Sequence, residues 1–168
     1  MKYNFGINTG FAVNRFCEPD QLFKFIKKDL KINNVQLSAD LLSPFYESKV
    51  LLKQVRKYKK EIKKNSIHLS SLFTGAFTRL NHLAHPDKEQ QRHWIKYFKN
   101  FIDLSIDLGA NYVGSHLGIL SYNDNKKRNK ILSERVIKNW HIIAEYAEKR
   151  KLKSLICEPM SISREFGE

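Results

Sequence analysis

Two stretches decide the fold: Ile67–Phe73 (IHLSSLF) and, one loop later, 86–115 (PDKEQQRHWIKYFKNFIDLSIDLGANYVGS). Together they predict a strand, a helix and a second strand. Pro86-Asp87 opens the helix, because Asp87 can cap it and Pro86 can rigidify its entry. Trp94, Ile95, Phe98, Phe101, Ile102 and Ile106 then recur every three or four residues, which puts them on one helical face. Gly109 stops the helix, since glycine accepts the left-handed conformation just past a helix end. Asn111–Ser115 follows as a short strand, and Thr74–His85 is the long loop between the first strand and the helix.

The same alternation extends outward. Upstream, the sequence predicts a strand at Tyr3–Ile7 and a helix opened by Glu18-Pro19-Asp20, with Leu22, Phe23, Phe25, Ile26 and Leu30 on its apolar side. A strand at Asn34–Ser38 comes next, then a loop at Asp40–Glu47 and a helix at Ser48–Lys64. Downstream, a single helix is expected over Lys126–Lys149, with Leu132, Val136, Ile137, Trp140, Ile143 and Tyr146 inward, and a fifth strand over Leu152–Cys157. Regular β-α alternation means a parallel sheet with right-handed crossovers. That is either a doubly wound open sheet or the front part of a (β/α)8 barrel.

Composition narrows the class. The 168 residues fit one domain, 1–168, and a hydrophobic fraction of 42% excludes a disordered, solvating chain. No apolar run approaches the ~20 residues of a membrane helix, and the N-terminus lacks the apolar core of a secretory signal. A cytoplasmic protein with no membrane partner is expected. Cys17 and Cys157 are too few for a disulfide framework. Thirty basic against seventeen acidic residues give a net charge of +13, which raises the question of nucleic acid. The basic runs at 57–64, 126–130 and 148–153 lie in or beside helical patterns, so they are expected on solvated helix faces, and nucleic acid is not the expected partner.

In parallel α/β folds the active site forms at the carboxyl ends of the strands. The residues just past each strand that bear weighing are Asn8 and Thr9, then Asp40, then Thr74, Gly75, Arg79, Asn81, His82 and His85, then Ser115 and His116, and finally Glu158. Glu158 follows an apolar strand and precedes a proline, a place suited to a metal ligand or a base, or to a helix cap or salt bridge. His116 lies among Gly114, Ser115 and Gly118, where a ligand could approach and side-chain packing is expected to be thin. His82 is placed to reach a ligand, whereas His85 is expected to serve the helix entry and His68 to be packed within its strand.

Six sequence words then carry a resemblance: GINTGFAVNRF (6–16), VQLSADLLSPF (35–45), SSLFTGAFTRLNHLAHPD (70–87), DLGANYVGSHLGI (107–119), NWHIIAEYAEKRKL (139–152) and CEPMSISREFGE (157–168). They resemble the sugar-phosphate epimerases of the xylose-isomerase-like TIM-barrel superfamily, with the erythrulose-phosphate (tetrulose-phosphate) 3-epimerases the nearest branch. The resemblance implies the first five strands and four helices of a (β/α)8 TIM barrel, incomplete after strand five. It implies a divalent metal ion, manganese first and magnesium, cobalt or zinc as alternatives. Glu158 is implied as its first ligand and as one of two acid–base carboxylates. Asn8, Arg79, Asn81, His82, Ser115 and His116 are implied contacts to a small ketose phosphate inverted at C3 through an enediolate.

The remaining ligands and the second glutamate belong to strands that this sequence does not include, so the 168-residue chain is expected to be inactive alone. Two other readings stay open. One is an endonuclease IV-like DNA-repair nuclease, suggested by the charge together with His68 and His116. The other is a non-catalytic truncated fragment. Self-association is also expected, through unpaired first and fifth strands and through uncovered inward residues such as Val35, Leu37, Leu69, Val113 and Ile156.

Overall fold

A computed structural model describes residues 5–159. Five parallel strands pair in sequence order: β1 (Gly6–Asn8), β2 (Asn34–Ser38), β3 (His68–Phe73), β4 (Tyr112–Ser115) and β5 (Ser154–Cys157). Helices connect them: α1 (Pro19–Lys28), α2 (Ser48–Lys64), α3 (Lys88–Leu108), and a helical run comprising α4 (Arg128–Ile131), a π turn (Leu132–Ile137) and α5 (Lys138–Lys149). The expected first strand starts at Tyr3, but Tyr3 and Asn4 lie outside the described residues.

Local chemistry explains the ends of α3. The Asp87 carboxylate accepts from the Glu89 N–H at 2.7 Å, and Gly109 takes a φ of 85°, which lets Ala110 N donate back to Ser105 O at 3.0 Å. Pro19 occupies the first turn of α1, as expected. The fourth helical segment departs from expectation. It is not one uniform helix, and its π turn shifts the phase, so that Ile137, expected inward, is 46% exposed.

The sheet faces also differ from expectation. Val35, Leu37, Leu69 and Val113 are at most 4% exposed and share one core with Phe23, Ile26, Phe98, Phe101, Ile102 and Ile143 of the helices. They lie under the helical layer, so an incomplete barrel leaves them covered. The face away from the helices is partly polar. Asn8 Nδ2 donates to Gln36 Oε1 at 2.5 Å, and Gln36 Nε2 donates to Ser71 Oγ at 2.9 Å, a side-chain ladder across three strands. Of the five residues named as uncovered, only Ile156 is exposed, at 41%.

Candidate active site

The carboxyl ends of all five strands lead into one cavity of about 500 Å³. Asn8, Gly10 and Val13 line it after β1, Ser38 and Asp40 at and after β2, and Phe73, Gly75, Ala76 and Arg79 at and after β3. His116 and Glu158 complete it from β4 and β5. Loops fixed by a rigid sheet are where such polar groups can converge without backbone interference.

Asn8, Asp40 and His116 are placed by identifiable contacts. Asn8 Oδ1 accepts from Gly10 N at 2.7 Å, so the turn after β1 aims the amide at Gln36. His116 is 1% exposed; its ring meets Phe73 edge-on at 5.4 Å, and its Nδ1 lies 3.1 Å from the Glu158 carbonyl oxygen. A carbonyl only accepts, so in the neutral ring Nδ1 carries the proton and Nε2 the lone pair. The thin packing expected around His116 is therefore overturned: it is a core side chain at the cavity wall. Glu158 itself is exposed, with its N–H donating to Ser115 O at 3.1 Å.

The Asp40 carboxylate joins two loops. Its Oδ2 accepts from Ser38 Oγ at 2.9 Å and from Ala76 N at 3.2 Å. Gly75, between that amide and β3, has a φ of 78°, and a Cβ there would stand 2.3 Å from Asp40 Oδ2. Glycine is required by conformation and by space. Sequence reasoning places Asp40 among the strand-end residues but gives it no role, because the contacts that tie it to the next loop, at Gly75 and Ala76, lie more than thirty residues away.

Of the seven candidate site residues, Asn8, Arg79, His116 and Glu158 line the cavity. Asn81, His82 and Ser115 do not, and they lie in the surrounding framework. Asn81 Nδ2 donates to Ile119 O at 2.6 Å, and Ser115 Oγ accepts from Thr74 Oγ1 at 3.1 Å. His82 is 1% exposed, against Trp94 and Phe98, with Nδ1 accepting from Leu83 N at 2.7 Å and no hydrogen-bond partner for Nε2 among the described residues. Burial, then the nearby His116, push its pKa down to about 3, so it is neutral at physiological pH. His85 accepts from Asp87 N at 3.0 Å, the helix-entry role expected of it. His68 is exposed rather than packed, and it begins β3, at the end of the strand away from the cavity.

Glu158 and His116 offer a carboxylate and an imidazole, a donor set that suits a divalent cation. Among the described residues no three histidine, cysteine, aspartate or glutamate side chains come together as a metal-holding group. No helix there is long and apolar enough to cross a membrane.

Comparison with known proteins agrees with this geometry. Residues 27–166 match the family model described as xylose isomerase-like TIM barrel. A D-erythrulose 1-phosphate 3-epimerase from Brucella abortus is 34% identical over 170 aligned residues, spanning 100% of this chain and 55% of the relative. A Rhodospirillum rubrum protein named for xylose isomerase superposes with a TM-score of 0.90 at 28% identity, over 99% of this chain and 57% of its own. The D-psicose 3-epimerase of Clostridium cellulolyticum shares the fold, with a TM-score of 0.72 at 18% identity over 98% and 55% of the two chains. The chain thus spans about half the length of the proteins it resembles.

Proposed function

Because the chain belongs to the xylose isomerase-like TIM barrel family, we propose that residues 1–168 supply the first half of the active site of a sugar-phosphate epimerase acting on a tetrulose phosphate. The observation that carries this is the convergence of Arg79, His116 and Glu158 on one cavity at the strand ends. Arg79 is a planar, permanently charged donor suited to a phosphate. Glu158, exposed at the tip of β5, is placed to remove the proton from the carbon beside a ketone, whose electron pair then moves onto the ketone oxygen as an enediolate. Returning a proton to the opposite face inverts the centre, and that second acid belongs to strands beyond β5. His116 positions Glu158 through its backbone carbonyl. A divalent ion held in part by Glu158 would supply charge stabilisation for the developing oxyanion, with manganese the first candidate. A cytoplasmic setting and self-association through the outer edge of β5 belong to the same proposal.

A decisive test joins residues 1–159 to the remaining β/α units of the Brucella abortus relative and follows D-erythrulose 1-phosphate in deuterated water. Exchange at C3 together with epimer formation is the expected result. Cleavage of abasic-site DNA without sugar turnover would favour the nuclease alternative. The position of His68 at the far end of β3 argues against that alternative, since it cannot share a metal cluster with His116.

A further inference from the structure

We propose that Asp40 is the hydroxyl-accepting group of this cavity, contacting the polyol portion of the ligand while Arg79 takes its phosphate. The inference rests on the sugar-phosphate reading and adds a binding residue to it. The two oxygens of Asp40 are differently engaged. Oδ2 is saturated by Ser38 Oγ and Ala76 N, whereas Oδ1 accepts no hydrogen bond among the described residues. The side chain is half-buried, lines the cavity, and makes no ion pair among the described residues.

Oδ2 has its two donors, but the second oxygen of a carboxylate partly withdrawn from water and lacking a cation still calls for one. An ionised carboxylate is an acceptor only, so its complement is an O–H or N–H donor. A sugar hydroxyl meets that need with a charge-assisted bond, about twice as strong as a neutral one. The surroundings fix where that bond would form. Ser38 Oγ holds the carboxylate by one edge and accepts from Asp40 N at 3.3 Å, while the missing side chain at Gly75 leaves the space the carboxylate occupies. The acceptor is thus set by the Ser38 hydroxyl at the end of β2 and the Ala76 amide after β3 before any ligand arrives, and a preorganised donor–acceptor match is what lets a site reject analogues that lack the hydroxyl.

Asp40→Asn tests this without unmaking the turn. The position beside Ser38 and Ala76 requires an acceptor, so the asparagine oxygen goes there and its NH2 replaces Oδ1 in the cavity. An amide NMR titration of the 168-residue chain would compare D-erythrulose 1-phosphate with inorganic phosphate, using the Ala76 amide resonance to confirm that the turn is kept. The expected result is at least a tenfold loss of affinity for the sugar phosphate, with phosphate affinity unchanged. Equal losses for both ligands would mean that Asp40 acts only by placing the Arg79 turn, and unchanged affinities would mean that it contacts neither; each overturns the proposal. If the parent chain binds the sugar phosphate no more tightly than phosphate, the sugar reading of the cavity fails first and the hydroxyl subsite with it.

Discussion

His116 Nδ1 stands 3.1 Å from the backbone carbonyl oxygen of Glu158, which ties the end of β4 to the tip of β5 at the point where both enter the cavity. The bond orients two site residues at once. It fixes the imidazole tautomer, and it anchors the backbone that carries the carboxylate.

Replacing His116 with alanine therefore removes a buried donor and leaves a void against Phe73. A loss of about 1–3 kcal/mol in unfolding free energy is expected, the range for a buried, hydrogen-bonded side chain. His116→Asn, whose NH2 can replace the Nδ1–H, should recover part of it. Denaturant unfolding of both variants checks the point, and an unchanged midpoint in the alanine variant would contradict it.

Gly75→Ala is expected to destabilise by about 1–3 kcal/mol, because it combines a left-handed backbone with a collision against the Asp40 carboxylate. Gly109→Ala is the internal control. Its φ is also positive, but nothing lies within 4 Å of the added carbon, so only the conformational part of the cost, about 1 kcal/mol, should appear. Thermal melts of the two variants should differ in that order.

These two glycines also show what a sequence can disclose. Gly109, Asp87 and Pro19 act on neighbours a few residues away, so their roles at helix ends are legible from local spacing. Gly75 answers to Asp40 across the ends of two neighbouring strands, and nothing in the words around either residue states that contact. The strand alternation likewise identifies the parallel sheet but not which face meets the helices; Val35 and Leu37 have the same apolar character under either assignment, and only the Asn8–Gln36–Ser71 ladder distinguishes them. The π turn escapes a 3.6-residue reading because its one-residue excess changes phase within an otherwise apolar stripe, moving Ile137 outward. Four of the seven candidate site residues reach the cavity because strand ends are legible, whereas the inward or outward course of a loop at Asn81 and His82 is not.

Glu158→Gln separates chemistry from stability. The side chain is exposed, so the exchange should change unfolding free energy by no more than about 0.5 kcal/mol. In the barrel completed with the relative's remaining units, the same change should lower turnover by about 100-fold or more, the scale of a lost general base. Parallel melts and C3-exchange rates measure both. Full turnover in the glutamine variant would sink the assignment.

His82 makes stability depend on pH in a definite direction. Its folded pKa of about 3 lies below the ordinary value of 6.5, so the unfolded chain binds more protons between those limits. Stability due to neutral His82 is complete above pH 6.5 and is lost progressively as pH falls toward 3. Between pH 7 and pH 5 the loss should be about 2 kcal/mol, from 1.36 kcal/mol per unit below the unfolded pKa. His82→Phe, which keeps the ring against Trp94 and Phe98, should flatten this part of the profile. The same slope in both proteins would assign the pH dependence to other groups.

Self-association is expected, though not by the route that apolar strand residues suggest. Val35, Leu37, Leu69 and Val113 are already covered, and the face away from the helices carries the Asn8–Gln36–Ser71 ladder, so a second copy gains little by covering it. The outer edge of β5 is different. Beside it lies a groove of about 310 Å³ lined by Leu117, Leu132, Val136, Ile137, Trp140, His141, Ala144 and Leu155, an almost wholly apolar surface. Among the described residues no strand pairs with that edge; such an edge next to partly exposed apolar side chains is a template for another chain, and burying one side chain of this size is worth roughly 1.5–3 kcal/mol. Association should therefore run through β5 and this groove. Ile137→Lys places a charge in it at a position already 46% exposed, so folding should be little affected while dimerisation weakens at least tenfold. Light scattering over a range of concentrations reads the outcome. A parent chain that stays monomeric at millimolar concentration would overturn the expectation, and equal association of parent and Ile137→Lys would move the contact away from the groove.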